Sequence, residues 1–221
     1  MKTTVRIVAG SLRGRKLAVQ VNANLRPTPQ MVREALFSLL GNAVPGRPFF
    51  DVFAGTGVVG LEALSRGARS ATFVERDFRL SDGIEQNLRA FRVADAATVA
   101  RADVYRWADR WQPPAEPVTV FLSPPFADYA HRPEDMLKLV AEVQRKVHPD
   151  SVVVLQAEKA EVLDQLPRRE EWEERRYGRN ILLIWVKELE GPASEGRQSP
   201  GDAEPASGGR QSPGAVKKPG G

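Results

Sequence analysis

The four residues Ser123, Pro124, Pro125 and Phe126 follow an apolar run, Val118 to Leu122, and their types point to a specific chemistry. Two prolines remove two N–H donors and stiffen the chain, which leaves the carbonyl oxygens of the turn facing outward as acceptors. Acceptors suit a planar exocyclic amine. When the amine of guanine, adenine or cytosine attacks an electrophilic methyl group, its nitrogen pyramidalises and gains positive charge, and its hydrogens then need partners. The Ser123 hydroxyl and the Pro124 carbonyl can act in this way as preorganised electrostatic stabilisers. Phe126 can stack on the face of the base, a contact contributing about 1 to 3 kcal/mol in nucleic-acid complexes.

A second constellation lies upstream. The segment Asp51 to Gly60 leaves a hydrophobic run, turns at Gly55, Thr56 and Gly57, and enters a helical pattern carrying Val58, Leu61 and Leu64. Glycines let a ligand approach the backbone, and a helix N-terminus offers unpaired N–H groups. Gly55, Gly57 and Gly60 form a G-x-G-x-x-G pattern, with Glu75 twenty residues after Gly55. Glu75 is thus placed to accept hydrogen bonds from two ribose hydroxyls. That pattern leaves a dinucleotide and a nucleoside such as S-adenosylmethionine as alternatives. Asp103, after the next apolar run, can meet an adenine amine or cap the helix that begins at Val104. Asp51 sits among Phe49, Phe50, Val52 and Phe53, where a carboxylate needs a ligand ammonium or neighbouring N–H groups. Taken together at successive strand ends, these groups favour an amino methyltransferase over a dehydrogenase, because no proton-transfer residue stands near the Ser-Pro-Pro-Phe turn. Such a reaction is a direct displacement at a sulfonium methyl, in which alignment can lower the barrier by up to roughly 7 to 11 kcal/mol. It requires no metal and no covalent intermediate.

The elements needed to hold these residues are readable from periodicity. Short apolar runs at 49–54, 70–75, 97–102, 118–122 and 151–157 alternate with amphipathic stretches near 58–66, 78–91, 103–110 and 133–147, which predicts an α/β fold with a parallel sheet covered by helices. Runs at 172–177 and 181–187, separated by Gly178, Arg179 and Asn180, predict an antiparallel hairpin at the sheet edge. A further helix is expected between Thr28 and Asn42, with Thr28 as N-cap, Pro29 at the first helical position, and Val32, Leu36, Leu39 and Leu40 as its apolar stripe. Before it, Val5, Ile7 and Val8, then Leu17, Val19 and Val21, predict a small β-hairpin turning at Ser11 to Gly14.

Composition narrows the classes. The chain has 221 residues, no Cys and two His, so disulfides, thiolate zinc sites and a cysteine nucleophile are excluded. No apolar run reaches the roughly 18 residues of a membrane helix, and the first ten residues have no signal-peptide core. A cytoplasmic protein without a membrane partner is expected. Lys2, Arg6, Arg13, Arg15, Lys16, Arg26 and Arg33 make residues 1–33 purely basic, although the whole chain carries only +4. A cationic arm on a mildly anionic body suits a phosphate backbone, with Arg6, Arg13, Arg15, Lys16 and Arg26 as RNA contacts. After Glu188 the chain becomes rich in Gly, Pro and Ser and repeats the hexapeptide Gly-Arg-Gln-Ser-Pro-Gly at 196–201 and 209–214. The expected organisation is a basic hairpin arm (1–26), a catalytic domain (27–188) and a disordered tail (189–221).

The segments Arg6 to Lys16, Leu25 to Thr28, Val32 to Phe37, Asp51 to Gly57, Gly60 to Gly67 and Ser123 to Phe126, with the closing hairpin at Tyr177 and Gly178, resemble the RsmD-like family of 16S ribosomal RNA guanine-N2 methyltransferases. The resemblance covers residues 5 to 187 and implies a class I, Rossmann-like methyltransferase fold, mostly parallel and ending in an antiparallel hairpin, with an N-terminal β-hairpin extension. It further implies S-adenosyl-L-methionine as donor and a guanine of 16S ribosomal RNA in the assembling 30S subunit as acceptor, with a monomeric enzyme and no metal. In that family an aspartate usually stands where this chain has Ser123. A serine accepts a hydrogen bond without a charge, and charge-assisted bonds are about twice as strong. Related amino methyltransferases acting on cytosine N4 often use Ser-Pro-Pro. A DNA methyltransferase acting on adenine N6 or cytosine N4, and a noncatalytic RNA-binding assembly factor, therefore stand as alternatives.

Overall fold

A computed structural model describes residues 2–20 and 27–189. Among the described residues there are two sheets. Strands β1 (Lys2–Arg6) and β2 (Lys16–Gln20) pair antiparallel as an N-terminal hairpin. The second sheet has seven strands: β3 (Pro48–Val52), β4 (Ser70–Glu75), β5 (Ala97–Arg101), β6 (Thr119–Leu122), β7 (Val152–Ala157), β8 (Glu173–Tyr177) and β9 (Asn180–Val186). Their order is β5-β4-β3-β6-β7-β9-β8. All neighbours from β5 to β7 are parallel, and β9 runs antiparallel to both β7 and β8. This is the parallel sheet with a closing antiparallel hairpin that periodicity predicts, and the class I methyltransferase arrangement that the family resemblance implies.

The strand sequences follow from their position. Every residue of β3, β6 and β7 is buried, as expected for central parallel strands covered on both faces. The edge strand β8 instead carries four consecutive charged residues, with Arg175 paired to Glu173 and Arg176 to Glu174, which discourages pairing with another chain. One face of the sheet packs Phe49, Phe73, Phe121 and Leu182 against α1 (Gln30–Leu40), α2 (Val58–Ser65) and α3 (Phe78–Phe91). The other packs Phe50, Val120, Leu155 and Leu183 against α4 (Val104–Arg110) and α6 (Pro133–Lys146). Ile7, Leu17 and Val19 of the hairpin region are buried in the same cluster as α1, α2 and α3.

Three details differ from the sequence expectations. Thr28 does not cap α1; the cap position is Pro29, without a side-chain cap bond. The Thr28 hydroxyl is 3.4 Å from Gln156 Oε1 and its carbonyl accepts from Arg33, so the Thr28 side chain turns to the sheet and not to the amides of α1. On α1, Phe37 joins the buried stripe while Leu39 is exposed. A short helix, α5 (Asp128–His131), follows the Ser123–Phe126 turn where the sequence shows no periodicity. Residues 21–26 and 190–221, and with them Val21, Arg26 and the repeat-bearing tail, lie outside the described residues. Among the described residues no helix is long and apolar enough to cross a membrane, and no group of three His, Asp or Glu side chains could hold a metal ion.

Candidate active site at the carboxyl edge of the sheet

Register brings the predicted residues to one rim. Val52 of β3 is level with Val74 of β4 on one side and Leu122 of β6 on the other. Phe53, Glu75 and Ser123 therefore leave the sheet side by side, at the point where strand order reverses from descending to ascending, and this is where ligands bind in open α/β sheets. The ladder carries on past the strand ends: Ala54 donates to Val74 O at 3.0 Å and Ser123 to Val52 O at 3.1 Å. Strands lie about 4.8 Å apart, so Glu75 and Ser123 emerge roughly 10 Å from each other on either side of the glycine turn.

Within the turn, Gly57 takes φ 71° and precedes α2; a Cβ there would approach Ile84 Cγ1 to 2.8 Å, so the position admits only glycine. Glu75 is held by two backbone donors, Gly55 N–H on Oε2 and Asp77 N–H on Oε1, both at 2.8 Å. Each carboxylate oxygen retains a lone pair. A pair of ribose hydroxyls fits that acceptor set, and the residues present thus suit the nucleoside of S-adenosylmethionine. Asp51 is fully buried and accepts the Gly60 N–H at 2.8 Å. Burial pushes its carboxyl up to about 7; the Gly60 hydrogen bond opposes this and the nearby Glu75 charge adds to it.

Asp103 caps α4: Oδ1 accepts from Tyr105 N–H at 3.1 Å and Arg106 N–H at 3.3 Å. Its other oxygen lies 4.0 Å from an Arg76 guanidinium nitrogen. Capping occupies one oxygen and leaves the second at the rim, so the two sequence readings of this residue are compatible. Beside it stand two residues that the sequence did not single out. Phe53 has φ 64°, an uncommon conformation for an aromatic residue, and packs edge-on against Tyr105 with ring centroids 5.6 Å apart. Tyr105 donates to Asp128 Oδ2 at 2.7 Å and lies under the Arg132 guanidinium, 4.0 Å from its ring. Burial and the Asp128 partner push the phenol well above its ordinary range. A polar cleft of about 480 Å³ opens there between α4 and α6.

On the other side of the glycine turn, Pro124 is buried, Ser123 is half-buried, and Pro125 and Phe126 are exposed. Phe126 keeps 41 % of its surface accessible, which a ring filling a core position would not. The Pro125 carbonyl accepts from Asp128 N–H at 2.8 Å and starts α5. The Ser123 hydroxyl is 3.3 Å from Oε1 of Gln156, a buried residue on β7. No sequence signal marked Gln156, because polar residues inside an apolar strand are indistinguishable from solvent-facing ones until the strand's neighbours are known.

The sequence profile of the family described as conserved hypothetical protein 95 matches residues 5–186. The chain belongs to this RsmD-like family. It is similar to ribosomal RNA small subunit methyltransferase D of Haemophilus influenzae, at 34 % identity over 72 % of this chain and 81 % of that protein. The solved structure of yhhF from Escherichia coli superposes with a TM-score of 0.69 at 29 % identity, covering 84 % of this chain and 99 % of that one. An RNA methyltransferase of Salinibacter ruber, solved with S-adenosyl-L-homocysteine, shares the fold with a TM-score of 0.57 at 17 % identity, over 76 % of this chain and 97 % of that one.

The basic N-terminal segment of this family member divides into two groups. Arg6, Arg13 and Lys16 are exposed. Arg15, also exposed, donates to the carbonyls of Ala90 and Phe91 at the end of α3, at 2.6 and 3.2 Å, and lies over the Phe91 ring. Arg33 is buried and donates to the carbonyls of Thr28 and Arg6. Glu62, fully buried on α2, faces it at 3.8 Å and accepts the N–H groups of Val8 and Ala9. Gly10, at φ 83°, closes this junction: a Cβ would fall 1.8 Å from the Ser65 carbonyl oxygen. Charge counting groups Arg33 with the surface cations, since it cannot separate an exposed cation from a buried one; Arg15 is exposed and also tethers the hairpin to α3.

Proposed function

We propose that this protein transfers a methyl group from S-adenosyl-L-methionine to the exocyclic N2 amine of a guanine in small-subunit ribosomal RNA. The observation that carries the reading is the register of β4, β3 and β6, which sets Glu75, the glycine turn and the Ser123–Phe126 turn along one rim with Phe126 exposed. The printed name of the Haemophilus relative supports the ribosomal substrate. A substrate of this kind places the protein in the cytoplasm, acting on the assembling 30S subunit.

When bound, the donor supplies a methyl carbon activated by a sulfonium. Glu75 accepts the ribose hydroxyls and Oδ2 of Asp103, the oxygen not used in capping α4, meets the adenine amine. The Gly55, Thr56 and Gly57 backbone lines the methionine portion, and Asp51 balances its ammonium. Ser123 and the Pro124 carbonyl accept the hydrogens of the target amine as it gains positive charge, while Pro125 stiffens the turn. Phe126 stacks on the extruded base and fixes the nitrogen in line with the methyl. Exposed Arg6, Arg13 and Lys16 contact the RNA backbone.

Digestion and mass spectrometry of ribosomal RNA treated with isotopically labelled donor checks the proposal. N2-methylguanine at one site of small-subunit RNA, in naked RNA or in 30S particles, is the expected product. Label on adenine N6 or cytosine N4 of DNA would overturn the base assignment, and no transfer to either nucleic acid would point to a noncatalytic assembly factor.

A further inference from the structure

Replacing a carboxylate by a hydroxyl beside a reacting amine creates a problem that the carboxylate does not have. An ionised carboxylate can only accept hydrogen bonds, whereas a hydroxyl carries one donor hydrogen that rotates freely. Turned toward the target nitrogen, that hydrogen would pair with the lone pair needed for attack. A serine in this place works as an acceptor only if its own hydrogen is engaged elsewhere.

Gln156 engages it. Its side chain projects from β7, next to β6 in the sheet, and is 3 % exposed. Nε2 donates to Asn180 Oδ1 at 3.0 Å, which turns Oε1 the other way. Oε1 accepts from Ser123 Oγ at 3.3 Å and from Thr28 Oγ1 at 3.4 Å. The backbone on both sides is held as well: Tyr129 donates its phenol to the Gln156 carbonyl at 2.8 Å, and Ser123 donates its amide to Val52 O at 3.1 Å. An amide oxygen whose orientation is set by Asn180 therefore receives the Ser123 hydrogen and leaves the serine lone pairs directed elsewhere.

We infer that Gln156 is a positioning residue for the methyl transfer, holding the Ser123 hydroxyl in its acceptor orientation, with Asn180 selecting the amide orientation. The inference rests on the placement of Ser123 at the target amine. It also accounts for how a neutral turn keeps the function of a charged one: the donor is removed by a hydrogen bond from inside the fold instead of by ionisation.

The test is a double-substitution cycle in the full-length chain, measured as single-turnover methylation of ribosomal RNA, with S-adenosylhomocysteine binding by calorimetry and thermal unfolding as controls. Gln156→Leu should lower the single-turnover rate by about tenfold, comparable to the loss of one hydrogen bond, with RNA KM and S-adenosylhomocysteine affinity shifted less than about twofold. In the Ser123→Asp background the same change should cost several-fold less, because a carboxylate has no hydrogen to direct. Gln156→Glu keeps the acceptor and should recover most of the rate; it also serves if the leucine variant does not fold. Equal losses in both backgrounds, or no loss beside Ser123, would overturn the role of Gln156. The underlying placement fails separately: Ser123→Ala with an undiminished rate would show that Ser123 does not face the amine at all.

Discussion

Asp51 Oδ2 accepts the Gly60 amide N–H at 2.8 Å, joining the end of the central strand to the first turn of α2 beneath the glycine loop. The carboxyl titrates near pH 7 because burial penalises its charged form. In the unfolded chain an aspartate titrates near 3.9, so between about pH 4 and 7 the native state holds a proton that the unfolded state has released. Stability without cofactor should therefore fall as pH rises through that window, by on the order of 4 kcal/mol in total, and level off above it. Asp51→Asn should remove this slope in denaturant titrations at several pH values. A ligand ammonium favours the ionised form, so cofactor affinity should strengthen from pH 6 to 8 in the parent and not in Asp51→Asn. A parallel pH dependence in both proteins would assign the titration to another group.

Phe126 is exposed at the rim, so its removal should leave folding intact and act on the RNA. Phe126→Ala should reduce kcat/KM by roughly 5- to 150-fold, the equivalent of about 1 to 3 kcal/mol of base stacking. Phe126→Tyr, which keeps the ring face, should retain most of the activity. An unchanged kcat/KM in the alanine variant would remove Phe126 from the site.

The two kinds of cation in the N-terminal segment should separate in a salt titration. Arg13→Gln and Lys16→Gln together should lower the slope of log affinity against log salt by about 0.7 per lost phosphate contact on single-stranded RNA, without a change in melting temperature. Arg15→Gln should instead lower the melting temperature, because its guanidinium satisfies the terminal carbonyls of α3. Equal effects of all three on the slope alone would mean that Arg15 is a nucleic-acid contact first.

Glu62 bears the largest structural load in the hairpin junction. Glu62→Ala removes the counter-ion that faces the buried Arg33 and the acceptor of the Val8 and Ala9 N–H groups and of Arg66, and removing one partner of a buried ion pair costs about 3 to 5 kcal/mol. Urea unfolding should show a loss of that size. A loss below about 1 kcal/mol, the size of one ordinary hydrogen bond, would mean that Ile7 and Leu17 hold the hairpin by burial alone.

The sequence by itself determined the order of strands and helices along the chain, since β3, β6 and β7 are mostly apolar runs, broken only by single polar residues such as Asp51, Thr119 and Gln156, and α3 and α6 have clear helical stripes. It also marked Gly55, Gly57, Glu75, Asp103 and the Ser123–Phe126 turn, because glycines, strand-end carboxylates and paired prolines have few other reasons to occur at those spacings. Tertiary structure alone decided what surrounds them. Thr28, Ser123, Gln156 and Asn180 are distributed over 153 positions of chain and meet only because β7 lies between β6 and β9. Arg33 reads as a surface cation until the structure shows it buried against Glu62 of α2, and nothing in the sequence joins Phe53 to Tyr105, whose rings meet at the rim. Local periodicity records which face of an element is apolar; which polar atom completes another's hydrogen bond depends on the register between strands, and that is set by the packing of the whole sheet.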